Sequence, residues 1–283
     1  MTAIQWKAFP YDAKDYGYEG AALEKAWSEL HRGHCEPFPD AAFVARAFAR
    51  HPKLEGELDA ERTAAALQSA WRAYHRGDFA AAVAEGAALG PIGANAANKA
   101  ANIYATYLET DRGRKREILL QSADRAELAQ AAAPDFVNAF YFHAQALGRY
   151  SQEISVMKAL AQGIGHKVKA SLERAIKLEP NHAEAHLALG AYHAEVVSKV
   201  GGLLASLTYG ASKEEAVRHF ALARNLLPES AIVRIEEANG LVMLFGKAKL
   251  EEAEQLYAEA AICPPADAMQ KLDAEHAREE AEG

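Results

Sequence analysis

The stretch that decides the fold is residues 168–195, VKASLERAIKLEPNHAEAHLALGAYHAE. Its apolar residues recur at helical spacing on both sides of Pro180. It therefore reads as one helix, a turn at Pro180 and a second helix. The same order recurs along the chain. EEAVRHFALARNLLPESAIVRIEEANGLV, residues 214–242, repeats it around Pro228, and AELAQAAAPDFVNAFYFHAQALG, residues 126–148, repeats it around Pro134. KLEEAEQLYAEAAICPP, residues 249–265, is a second helix ending at Pro264.

Upstream, AYHRGDFAAAVAEGAALGP, residues 73–91, has the form of a helical hairpin. Gly77 takes the left-handed position that ends the first helix, Asp78 caps the second, and Ala82 is small where two helices cross. Asp40 and Asp59 stand where they can cap the helices that follow them. No segment alternates as a strand does, and prolines punctuate the helices without interrupting them.

These hairpins resemble the tetratricopeptide repeat (TPR), a stacked helix-turn-helix unit of about 34 residues. The resemblance implies an all-α, TPR-like helical-hairpin solenoid, in which each pair buries its apolar face on the next. We read residues 1–283 as one such solenoid. Residues 1–58 form an N-terminal arm and capping helices, 59–265 the helix-pair repeats, and 266–283 a C-terminal capping helix with an acidic tail. The turn prolines at 134, 180, 228 and 264 are separated by 46, 48 and 36 residues. Two units therefore carry insertions of about a dozen residues beyond the standard period. They are RYSQEISVMKALAQGIGHK, residues 149–167, and SKVGGLLASLTYGASK, residues 198–213. Both fall between the first and second helix of a unit, so they are expected to share an edge and pack on each other. More narrowly, residues 165–225, with VKASLERAIKLEP, the Gly201-Gly202 turn and KEEAVRHFALA, are similar to the TPR-containing T-component of TRAP-type transporters. That resemblance implies small-ligand binding as an alternative role.

The 283 residues hold 31 Lys and Arg against 39 Asp and Glu, a net charge of −8. Such a chain lacks the basic excess that nucleic-acid binding requires, and no nucleic-acid partner is expected. No apolar run reaches the 18 or so residues that span a bilayer. The two cysteines, Cys35 and Cys263, form no disulfide framework, and the first residues show no basic segment followed by an apolar one. A cytoplasmic protein without membrane insertion is the expectation.

Catalytic signals are weak throughout. The glycine-rich run at 198–213 has neither the phosphate-loop order nor a preceding strand. Its apolar positions Leu203, Leu204 and Leu207 have helical spacing and read as a packed insert. Cys35 beside His34 sets no nucleophile–base geometry. His182, His186 and His193 lie on one helix at i, i+4 and i+11, where the first pair could share a metal ion but has no compelling carboxylate partner, and His31, His34 and Cys35 gather at a helix end where histidine complements the dipole. We expect no catalytic residue, no metal and no cofactor.

The best candidate site is the face made by the first helices of successive units. ANAANKAANIYATY places Asn95, Asn98, Lys99 and Asn102 on one stripe. Asn138, Tyr141, Gln145 and Arg149 form a similar stripe in the next unit, and Asn239 has the matching place later. Asparagines disfavour helix, so a stripe of them calls for a use. Asn98, Asn102, Asn138, Tyr141, Gln145, Arg149 and Asn239 are therefore the candidate binding residues of a non-catalytic scaffold. The expected partner is a protein or peptide, with a small polar ligand held under the two inserts as the alternative. Homo-oligomer formation is compatible with the sequence. The aromatic-rich arm, with Trp6, Phe9, Tyr11, Tyr16 and Tyr18, is expected to pack on the repeats.

Overall fold

Several helices begin where an aspartate caps them. In the computed structural model, which describes residues 6–282, Asp40, Asp59 and Asp111 cap the helices that follow by accepting from the backbone N–H of Phe43, Arg62 and Arg114, at 2.6, 2.9 and 2.8 Å. Asp78 does the same for Ala81, and Gly77 turns the chain with φ +85°. Residues 1–5, part of the N-terminal stretch read as lacking an export signal, lie outside the described residues, as does residue 283 of the acidic tail. Among the described residues there are helices and no strands, so the architecture is all-α and TPR-like as expected. Among them, no helix is long and apolar enough to cross a membrane.

The chain gathers into two units, residues 1–31 with 36–153 and residues 32–35 with 154–283. The first holds α1 (Ala22–Leu30), α2 (Ala41–Arg50), α3 (Ala60–His75), α4 (Phe79–Ala88), α5 (Ala94–Tyr107), α6 (Arg112–Ala132) and α7 (Val137–Ile154). Helices α3 to α6 pack in sequential pairs. Trp71, Tyr74, Phe79, Ala82, Tyr104 and Phe142 are buried. The arm packs on this unit. The Trp6 ring lies 4.3 Å from that of Tyr104, the Lys7 N–H donates to the Tyr104 hydroxyl, and Phe9 fills the space a Cβ on Gly77 would need.

The second unit holds α8 (Val156–Ala161), α9 (Ile164–Leu178), α10 (Ala183–Val200), the single turn α11 (Gly202–Leu204), α12 (Lys213–Leu226), α13 (Ala231–Phe245), α14 (Leu250–Ala261) and α15 (Ala268–Glu282). Pro180, Pro228 and Pro264 all fall between helices. Phe220 on α12 is buried between Gly190 of α10 and Gly240 of α13. A Cβ at these glycines would lie 2.8 and 2.3 Å from its ring. Glycine there sets how closely three helices approach.

The second insert is helical, with bends at Gly201 (φ +82°) and Gly210 (φ +57°), and a wider π turn follows α11 over Ala205–Tyr209. It touches the first insert where the His166 and Tyr209 rings meet at 5.6 Å. Its leucines correct the packing expectation. Leu203, Leu204 and Leu207 are 79, 51 and 78 % exposed, while Ala205 and Ala211 are buried. Small residues seat the turn, so the bulky side chains are left on its outer surface.

Candidate functional site

Helices α5 and α7, the first helices of two successive hairpins, present Asn95 and Asn138 to a loop of the first unit. That loop is Glu36-Pro-Phe-Pro39, tied at its start by the Trp27 indole N–H, which donates to the Glu36 carbonyl at 2.7 Å. Its prolines keep the segment extended. The Glu36 carboxylate then meets two amides. Asn95 Nδ2 lies 3.1 and 3.0 Å from its two oxygens, and Asn138 Nδ2 donates at 2.6 Å. Lys99 adds positive charge from the same turn of α5. Its own ammonium is buried, 5.9 Å from both the Tyr74 and Phe142 ring centroids, where cation–π attraction partly replaces lost hydration.

Burial pushes the Glu36 carboxyl up to about 7, and this outweighs the opposing effect of the two amides and Lys99. The residue as a whole is partly exposed while its carboxylate is enclosed. The site thus holds a carboxyl group with neutral donors, in a place where its charge is barely stabilised.

The stripe continues along both helices. Asn98 Oδ1 accepts from the half-buried Arg125 at 2.9 Å. Asn102 Nδ2 donates to Gln145 Oε1 at 2.9 Å and to the Phe142 carbonyl at 3.3 Å, and Gln145 Nε2 donates to the Tyr141 hydroxyl. Two atoms remain over. Asn98 Nδ2 and Asn102 Oδ1 are buried with no hydrogen-bond partner among the described residues. One is a donor and the other an acceptor, one helical turn apart, so a single polar group between them would satisfy both.

Of the seven candidates, the structure gathers Asn98, Asn102, Asn138, Tyr141 and Gln145 on this face. The first four are at most 4 % exposed, so they form its floor. Arg149 is half-exposed near the end of α7 and donates to Gln152 at 3.4 Å. Asn239 belongs to the second unit, where its Oδ1 accepts from the Tyr257 hydroxyl at 2.7 Å. Sequence reasoning missed Glu36, which lies in the segment between α1 and α2. The one local signal was an acidic residue set between a cysteine and a Pro-Phe-Pro run.

The other clusters weighed from sequence come apart. His31 stacks on Trp27 at 3.7 Å and meets His75 at 3.1 Å between Nε2 atoms. His34 Nδ1 lies 3.2 Å from the Glu184 carboxylate. The Cys35 thiol is pushed up to about 11, first by burial and then by Glu179 and Glu184, and its sulfur faces the Arg32 and Asn181 carbonyls. That thiol is no nucleophile at neutral pH. His182 uses Nδ1 to cap α10 on Ala185, and His186 turns to His219.

A solved structure with this architecture is TTC0263, a thermophilic TPR protein in Thermus thermophilus. The likeness has a TM-score of 0.53 at 16 % identity and covers 76 % of this chain and 97 % of that one. At that identity it shows the fold alone. Among curated proteins there is no significant match. The family model for regulator of microtubule dynamics protein 1-3 matches residues 94–281, which is well over half of the chain and includes α5, α7 and the whole candidate stripe. The chain therefore belongs to the regulator of microtubule dynamics protein 1-3 family.

Proposed function

We propose that this protein is a non-catalytic scaffold that binds a protein or peptide through the α5/α7 face, and that the bound segment is extended and bears a carboxylate. The observation that supports this is the grip of Asn95 and Asn138 on Glu36. Amides from two successive first helices hold a carboxylate presented by a proline-flanked extended segment, which is the chemistry of peptide recognition in a groove. The chain's own residues 36–39 act as the occupant, and a partner segment competes with them. Asn98, Asn102, Tyr141, Gln145 and Arg149 extend the same face beyond the carboxylate.

The family name describes regulation of microtubule dynamics, and a protein-binding scaffold is compatible with it. The two free cysteines suit work in the cytoplasm. A small ligand roofed by the inserts gains no support, because Leu203, Leu204 and Leu207 face solvent where a roof would turn them inward.

The test is a fluorescence-anisotropy titration of the peptide Ac-Cys-Glu-Pro-Phe-Pro-Asp-NH2, with a dye on its cysteine. The proteins are wild type, Glu36→Ala and Glu36→Ala/Asn138→Ala. Saturable binding to Glu36→Ala, at least about tenfold tighter than to wild type and lost in the double variant, is the expected result; tenfold corresponds to roughly 1.4 kcal/mol. A folded Glu36→Ala variant that takes up no peptide would reduce the Glu36 contact to internal packing.

A further inference from the structure

We propose that His193, Glu215 and His219, on facing helices of the second unit, form a binding site for a divalent transition-metal cation such as Zn2+. Nothing in the α5/α7 reading bears on it.

The site follows from the packing of α10 on α12. His186, Gly190 and His193 are spaced i, i+4 and i+7, so they share one stripe of α10. Gly190 lets α12 come close, because its missing Cβ leaves room for Phe220. The facing stripe of α12 carries Glu215 and His219 at i and i+4. One ligand atom from each of His193, Glu215 and His219 lies within 4.8 Å of the others.

The hydrogen bonds settle which nitrogen of His219 is free to coordinate. The Pro180 carbonyl only accepts, so His186 Nε2, at 3.0 Å, carries a proton. His186 Nδ1 then has a lone pair and accepts from His219 Nδ1–H at 2.9 Å. His219 Nε2 is left with its lone pair, 3.7 Å from Glu215 Oε2. A metal-bound histidine is typically oriented in this way, with its second nitrogen donating to a fixed acceptor. His186 and Pro180 supply that support for His219.

Arg218 shows where a cation is wanted. Its Nη2 lies 2.5 Å from Glu215 Oε2 and 3.2 Å from His219 Nε2, between the two ligands. Its side chain is more than half exposed, so a metal ion would displace it from the Glu215 carboxylate that it now grips through Nε and Nη2. His193 joins with a rearrangement. Its Nδ1 now accepts from the Ser212 N–H at 3.2 Å, so coordination through Nε2 moves a proton to Nδ1 and gives up that bond. Two imidazoles and a carboxylate suit Zn2+ and its neighbours over Ca2+ or Mg2+ and leave one coordination position for water.

The experiment is calorimetric titration of Zn2+ into the metal-stripped, untagged full chain at pH 7.5, with Co2+ absorption reporting the ligand field. One ion per chain with a tetrahedral Co2+ spectrum is expected. Glu215→Gln and His219→Gln should abolish saturable binding, His186→Phe should weaken it roughly 10- to 100-fold, and Arg218→Ala should tighten it. Glu215 is largely at the surface, so Glu215→Gln remains folded and keeps the test decisive if His219→Gln does not. Absence of saturable binding, or binding indifferent to both Glu215→Gln and Arg218→Ala, would overturn the proposal.

Discussion

Replacing Glu36 by glutamine should make the protein more stable at alkaline pH while leaving it nearly unchanged in acid. The folded carboxyl titrates near 7 against a reference of 4.5. Between those values the folded state holds a proton that the unfolded chain has released. The Glu36 contribution to stability therefore falls as pH rises through that window and is fully unfavourable above about 7. At 1.36 kcal/mol per unit the shift amounts to roughly 3 kcal/mol. Glutamine keeps an oxygen that accepts from Asn95 and Asn138 but carries no charge to desolvate. Urea denaturation of both proteins from pH 4.5 to 8 gives the difference directly, and titrations common to both cancel. The difference should move by about 3 kcal/mol toward the variant over this range. A flat difference, or one that moves toward the wild type, would refute the enclosed-carboxyl reasoning.

Other perturbations test other parts of the structure. Gly190→Ala and Gly240→Ala each push a Cβ into Phe220 and should each cost about 1–3 kcal/mol by thermal or chemical denaturation. Phe220→Ala should cost about 3–5 kcal/mol. Changing Leu203, Leu204 and Leu207 together to serine should leave stability within about 0.5 kcal/mol per site, because those side chains are already in water. Burial depresses His193 and His219 to about 4, so the unfolded chain binds protons first as pH falls. Stability should drop between pH 6.5 and 4, and the drop should shrink in His193→Gln.

The hairpins were legible because their signals are local. An aspartate three residues before the N–H it caps, a proline between two periodic runs and a glycine at a left-handed turn each act within a few positions. The asparagine stripe of α5 was legible for the same reason, since helical spacing places Asn98 and Asn102 on one face. What those asparagines face was not legible. Glu36 reaches Asn95 across 59 residues and Asn138 across 102, and no periodicity encodes such a pairing. The same limit hid the approach of Glu215 and His219 to His193, because helical spacing relates His182, His186 and His193 along α10 and says nothing of the helix that packs on it. Periodicity also gave the leucines of the second insert one side of a helical turn without saying which side would be covered. Ala205 and Ala211 were the residues the packing took.

The most direct measurement is a crystal structure of the Glu36→Ala variant with the peptide Cys-Glu-Pro-Phe-Pro-Asp. The peptide glutamate should lie between Asn95 Nδ2 and Asn138 Nδ2 at hydrogen-bond distance, with its chain running along α5 and α7. A peptide bound elsewhere, or an α5/α7 face closed by repacked side chains, would contradict the assignment of that face as the binding surface.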